Sequence, residues 1–374
     1  MNQLNFKELP FYIKFTFKLL MILLLGLLLI QGQGIIVPFI FSILLSILLL
    51  PIVNFLVNKL LLAKPIAVLT AVILSLAIIG SIIYFFSHQI AGFLKDIPSI
   101  KEHLEAHYET LQNWVQKRFN ISMEQQSVML NTATNNVKSS GSEVIGETFF
   151  TITHTLFFII MIAIYTFLIL VYRHVIRQFI IEVFNKEHEE EVKEVLVESK
   201  GIVQKYMVGL ITEMGIIAIL NTSVLLFLGI KYAVFLGILT AILNIIPYIG
   251  IISGMIFTAL ITLTTSTHLS DIAWIVVCFE VIHFFDANFL MPRIVGSKVK
   301  INALVTIVGV VIGGTLLGLA GIFLALPSIA ILKIIFDRVE DLKPWGKLMG
   351  GDATAEKGRI AKRLERMRLK KQKK

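Results

Sequence analysis

The sequence predicts an all-α polytopic membrane protein, with about six full transmembrane helices and two further apolar segments of a different kind. Three observations predict it. Apolar residues make up 56% of the 374-residue chain and charged residues only 16%, against about 45–50% and about 25% in a soluble domain. The mean hydropathy is +0.83. The apolar residues also fall into runs of roughly 20, the length at which a helix crosses a hydrocarbon core. A soluble globule of this size could not bury so much apolar surface; lipid can solvate it.

The first three spans fall at 15–31, 35–58 and 66–87 within a segment 1–87, and none of their cores carries a charge. Lys7, Lys14 and Lys18 before the first run imitate a signal peptide. No small-residue cleavage site follows, because Gln31-Gly32-Gln33-Gly34 leads straight into the second run, so an uncleaved first span is expected. Residues 88–146 are the longest polar stretch outside the apolar runs. Phe93, Ile97, Ile100, Leu104, Tyr108, Leu111 and Val115 recur there at three-four spacing, which predicts an extracytoplasmic amphipathic helix on the membrane or on a partner subunit. Segment 147–203 holds a fourth span (147–171) and a charged cytoplasmic amphipathic helix (172–203).

Segment 204–336 is the expected transport core. It contains spans at 205–229 and 271–290, and two runs that fit neither one crossing nor two. Residues 232–264 are interrupted by Asn244-Ile245-Ile246-Pro247-Tyr248-Ile249-Gly250. Residues 303–335 are interrupted by Gly313-Gly314-Thr315-Leu316-Leu317-Gly318-Leu319-Ala320-Gly321. Charge topology separates two readings. If each run crosses once, the loop with Arg293, Lys298 and Lys300 lies outside, against the preference of Lys/Arg for the cytoplasm. If each enters and returns as a re-entrant hairpin, that loop lies inside with Lys59, Lys64, Arg173 and Arg177. The hairpin reading explains one more loop and is preferred; eight single spans are the alternative. Irregular backbone at membrane depth is tolerated where it lines a cavity or is buried in protein, and paired interrupted segments point to a transporter's binding site.

The last part of the basic tail (337–374) accounts for the net charge of +9. From Lys357 to Lys374 there are ten Lys/Arg against Glu365 alone, and the rest of the chain balances at 24 basic and 24 acidic residues. A basic run beyond a last membrane helix reads as a cytoplasmic anchor on anionic headgroups, and no nucleic-acid partner is expected. Both termini are expected to be cytoplasmic. Cys278 is the only cysteine, so no intrachain disulfide can form.

Ionisable groups inside the apolar runs are few, and each costs on the order of 3 kcal/mol or more at the bilayer centre. Glu213 lies in the fifth span; Glu280, His283 and Asp286 lie in the 271–290 helix within a roughly 120° sector, expected to point inward as one polar face. Asn288 projects to the far side of Asp286. These residues form a candidate path for a cation, a proton or a polar solute. Alternatively they pair with each other, or with Asn244, to hold helices together. Gly309 and Gly313, and Gly314 and Gly318, have the small-xxx-small spacing that lets helices approach; Gly313 to Gly321 serves packing or a flexible hairpin tip. His103 and His107 lack a third ligand, so no metal is expected. No phosphate-binding loop or nucleophile elbow occurs. Neither a cofactor nor an enzymatic activity is expected.

Four groups of residues resemble the motifs of the autoinducer-2 exporter family. They are Gln204-Lys205-Tyr206-Met207-Val208-Gly209; Asn244 to Gly250 with Pro247 and Tyr248; Asp286 to Gly296 with Pro292; and Gly313-Gly314, Gly318, Gly321 and the Ala325-Leu326-Pro327 end. The resemblance is ordered and covers most of the chain. It implies a homo-oligomeric secondary transporter of the bacterial inner membrane that exports a small signalling molecule, or a sodium- or potassium-proton antiporter. One departure stands out: Lys300-Ile301-Asn302-Ala303 lacks the proline many members carry there. A site between the two hairpin tips, Asp286 and Glu213, is the resulting expectation; a membrane scaffold that moves nothing is the alternative from another class.

Overall fold

A computed structural model describes residues 10–96, 148–245, 249–265, 270–291, 293–294 and 301–350. Among them every regular element is helical. In chain order these are α1 (Phe11–Gln31), α2 (Gln33–Asn58), α3 (Lys64–Lys95), α4 (Thr148–Val183), α5 (Glu189–Phe227), α6 (Ala233–Leu243), α7 (Ile249–Thr265), α8 (Ser270–Phe285), α9 (Ala303–Arg338) and α10 (Lys343–Met349). Among the described residues, seven helical stretches are long and apolar enough to cross a membrane. Their outer faces fit lipid. Helix α1 buries none of its residues, and Ile22 is 69% exposed, a pattern that water would penalise. Most of 88–146 and the basic tail beyond 350 lie outside the described residues.

The chain divides into two compact units, Met1–Leu50 with Tyr165–Met207 and Gly296–Lys374, and Pro51–Ile164 with Val208–Val295. The first unit is held by close packing and by ties near helix ends. Phe41 stacks on Phe323 at 5.3 Å, Phe39 meets Tyr165 edge-on at 5.8 Å, and Ser46 bonds the Thr166 carbonyl at 3.4 Å. Arg338 at the end of α9 ion-pairs with Glu194 and, at 3.1 Å, with Glu198 on α5.

Helix α9 is not one rod. Gly318 breaks it with φ 61° and ψ −146°, a conformation open essentially to glycine alone. Beyond that break the chain folds back on itself. Gly313 lies so close to Gly321 that a Cβ on either would collide with the other's backbone, and a Cβ on Gly309 would strike Ile329. In a straight helix residues 309 and 329 would be about 30 Å apart. The base is tied too. Asn302 caps α9 by accepting from Val305 N at 2.8 Å, its own N–H donates to Met349 O at 3.0 Å, and its side-chain amide donates to Leu348 O. The segment therefore leaves and returns at the same end. Asn302 stands beside the departure noted in the sequence, and it supplies the cap there.

The second unit contains the other hairpin, α6–α7. With 11 residues, α6 is about 16 Å long, roughly half a hydrocarbon core. It runs against α7 through small residues. A Cβ on Gly250 would enter the Leu243 carbonyl, one on Gly254 would press on the Thr240 side chain, and Thr240 and Thr258 place their hydroxyls 3.4 Å apart. Leu225, Phe235, Leu236, Ile261, Ile275 and Phe279 form the core beneath it, with Phe86 edge-on to Phe235 at 5.3 Å. At the entrance to α6, Tyr232 adopts a left-handed backbone (φ 65°). Its hydroxyl donates to Asp96 after α3, and Lys231 ion-pairs with the same carboxylate. The Lys231 and Tyr232 hydrogen bonds hold Asp96 below its usual range, while burial and then Asp96 push Tyr232 up to about 12.

Candidate functional site

The deepest ionisable groups of the second unit meet where α5 passes the end of α8. Glu213 is 7% exposed and Asp286 is 4% exposed. Their carboxyls are within hydrogen-bonding reach of each other. Asn244, at the end of α6 next to the hairpin tip, donates its Nδ2–H to Asp286 Oδ2 at 3.1 Å. Among the described residues, Asp286 Oδ1 and His283 Nδ1 are buried without a hydrogen-bond partner, and His283 lies one turn before Asp286 on the same helix.

Two backbone features bring these side chains together. Asp286–Leu290 is a π-helical turn continuing α8, a local widening that recurs at functional sites. Gly209, one turn before Glu213 on α5, approaches the chain beyond that turn so closely that a Cβ would sit 2.9 Å from Ile294 O. Residues four apart share a helix face. The missing side chain at Gly209 thus lets the π-turn seat Asp286 against the face that carries Glu213.

Chemically, the arrangement gathers two carboxyls, one amide donor and a nearby imidazole in a site with little water access. Two bare carboxylates this close repel strongly in a low-dielectric setting. A proton bridging them, or a small cation held by both, removes the repulsion. The amide fixes one Asp286 oxygen beside the Glu213 carboxyl.

The other residues singled out in the sequence fall elsewhere. Glu280 is exposed, and Asn288 is exposed with its amide donating to Phe284 O at 2.8 Å. The polar sector of α8 is therefore not uniformly inward: Glu280 and Asp286 stand at its two edges, and only the Asp286 edge is packed. Tyr206 is 3% exposed and Gln204 half-buried on the same helix as Gly209. Gly250, Gly313, Gly314, Gly318, Gly321 and the buried Pro327 belong to the two hairpins. Pro247, Tyr248, Pro292 and Gly296 lie outside the described residues. Sequence reasoning missed the Asp96–Lys231–Tyr232 cluster and Asn302. The first joins residues more than 130 positions apart, without any spacing rule; the second carried an N-cap signal, Asn before an apolar run.

The sequence profile described as AI-2E family transporter matches residues 18–341. "Putative transport protein YueF" of Bacillus subtilis is 23% identical over 256 residues, 66% of this chain and 68% of that protein. "Putative transport protein YrrI" of the same organism is 33% identical over 107 residues, 29% of this chain and 30% of that protein. "Putative transport protein YhhT" of Escherichia coli K12 is 26% identical over 107 residues, again 29% and 30%. The chain thus spans under a third of YrrI and YhhT and about two thirds of YueF. Family and helices agree: the chain is a multi-pass membrane protein that belongs to the AI-2E transporter family.

Proposed function

We propose that the protein is a secondary transporter of the bacterial inner membrane, a permease rather than an enzyme. In this reading it moves a small polar solute such as the autoinducer-2 signal, coupled to a proton or sodium gradient. The observation that carries it is the buried Glu213–Asp286 pair with Asn244 bonded to Asp286. Carboxyls at such depth are costly as bare charges, and a structural pairing would be expected to place a cation opposite them. Their pairing with one another suits a group that takes up and releases a proton or a small cation. The α6–α7 and α9 hairpins are read as re-entrant, dipping into the bilayer from opposite faces, with both termini cytoplasmic and the chain assembled as a homo-oligomer.

Sodium- or potassium-proton antiport is the second reading, favoured by the same buried acid pair. A non-transporting scaffold would instead tolerate neutral residues at both acids. The test is reconstitution of the full chain into liposomes with an internal pH-sensitive dye, followed by pulses of sodium, potassium and lithium. Proton flux that requires a cation and vanishes in Asp286→Asn establishes antiport. Without it, efflux of a labelled furanone that vanishes in the same variant establishes solute export. Full activity of Asp286→Asn in both assays refutes the assignment of the site.

A further inference from the structure

The end of α4, in the first unit, carries a second polar site that is independent of the transport reading. A cavity of about 600 Å³ opens there, between the last turns of α4 and the first of α5. His174, Arg177, Gln178 and Glu182 line it, at the three-four spacing of one helix face. Tyr172, Val175, Ile176, Phe179 and Val183 follow the same spacing on the other side and are exposed. The last turns of this span are therefore amphipathic, with apolar groups outward and mainly polar and charged groups toward the cavity. That is the pattern of a helix lying at the headgroup level of a bilayer.

Three cations, Arg177, Lys186 and Lys193, line the cavity with two carboxylates, Glu182 and Glu189. Lys193 is engaged by Glu189 at 2.8 Å and Glu190 at 2.9 Å, and Gln178 donates to Glu182 at 2.8 Å. Among the described residues, Arg177 and Lys186 form no ion pair, although both line the cavity. Phe184 lines it too and is half exposed, which joins an apolar wall to the two cations. A guanidinium fork and an ammonium beside an aromatic face suit a phosphate that carries acyl chains.

We propose that this cavity binds the phosphate of an anionic phospholipid headgroup, with Arg177 and Lys186 as its cationic partners and Phe184 against the upper acyl chain. A soluble phosphate has the same headgroup chemistry but no use for the apolar wall, and the test separates the two. Full-length protein is placed in nanodiscs of phosphatidylcholine containing a minor fraction of phosphatidylglycerol, and the lipids retained after detergent extraction are counted by native mass spectrometry. The wild type is expected to enrich phosphatidylglycerol over the bulk ratio. Arg177→Gln with Lys186→Gln should lower that enrichment about tenfold or more, whereas Lys200→Gln, an exposed cation on α5 outside the cavity, should leave it unchanged. All three positions are on the surface, and a thermal melt in detergent checks that the variants are folded. Equal retention of the two lipids by the wild type, or unchanged enrichment in the double variant, overturns the proposal. Inorganic phosphate in phosphatidylcholine-only discs is the second arm. Stabilisation by phosphate that depends on Arg177 and Lys186, with no preference for phosphatidylglycerol, would assign the cavity to a soluble anion and overturn the lipid.

Discussion

The two helical hairpins use the same backbone device with different chemistry. In α9 the turn is a single glycine, Gly318, and the limbs meet through Gly313, Gly321 and Gly309 with apolar neighbours. Its polar groups sit at the base, where Asn302 ties the entry to α10. In α6–α7 the polar groups run up the hairpin instead: Thr240 faces Thr258, and Asn244 by the tip holds Asp286. One hairpin is built for shape, the other also for contact with a charge. The difference teaches that interrupted apolar segments are not equivalent signals; the residue beside the interruption decides which of them carries chemistry.

That contrast can be broken at several points. The largest effect is expected from Gly321→Val, which puts a branched side chain into the Gly313 backbone. Neither limb can retreat cheaply, and overpacking of this kind costs about 1–3 kcal/mol or more. Loss of folded, monodisperse protein in detergent is the expected result, and a normal melt would show that the limbs are not in contact. Asn244→Ala comes next. Removing the donor to a buried carboxyl costs about 1–3 kcal/mol, and transport should fall at least as steeply as stability. Asn302→Ala sharpens the comparison from the other hairpin. Loss of a cap costs about 1 kcal/mol, visible as a lower melting temperature with flux per folded molecule unchanged.

The smallest effect concerns the tether at the α6 entrance. Asp96 has a lowered pKa in the folded protein, so the stability it supplies is present above its ordinary value of about 3.9. It is lost as pH falls through the lower folded value. A melt series comparing wild type with Asp96→Asn should show a constant difference above about pH 5 that disappears on further acidification. A difference that persists into strong acid would mean Asp96 acts through packing rather than charge.

Much of this was legible in the sequence, and the reasons are physical. Span lengths follow from bilayer thickness, so α1, α2, α3 and α8 were readable from apolar runs alone. The interruption at Gly313–Gly321 was readable because glycine clusters break helices; which glycine makes the turn was not, and Gly318 is identified by its backbone angles and by the approach of Gly309 to Ile329. Glu213 and Asp286 stood out because charge is rare in apolar runs. Their mutual approach was not readable, since it depends on the π-turn at Asp286–Leu290 and on Gly209 admitting Ile294, and neither has a periodic signature. Glu280 shows the same limit from the other side, as helical projection gives an angle but not which edge of a sector is covered.

The central claim is that Glu213 and Asp286 act as one unit in transport. The most direct test is flux in proteoliposomes for Glu213→Gln, Asp286→Asn and the double variant, each corrected for folded protein, with Glu280→Gln as the exposed-acid control. A shared proton or cation predicts that either single change removes nearly all flux, that the double variant loses no more, and that Glu280→Gln stays active. Losses that simply add, or a single variant that transports like the wild type, would contradict it.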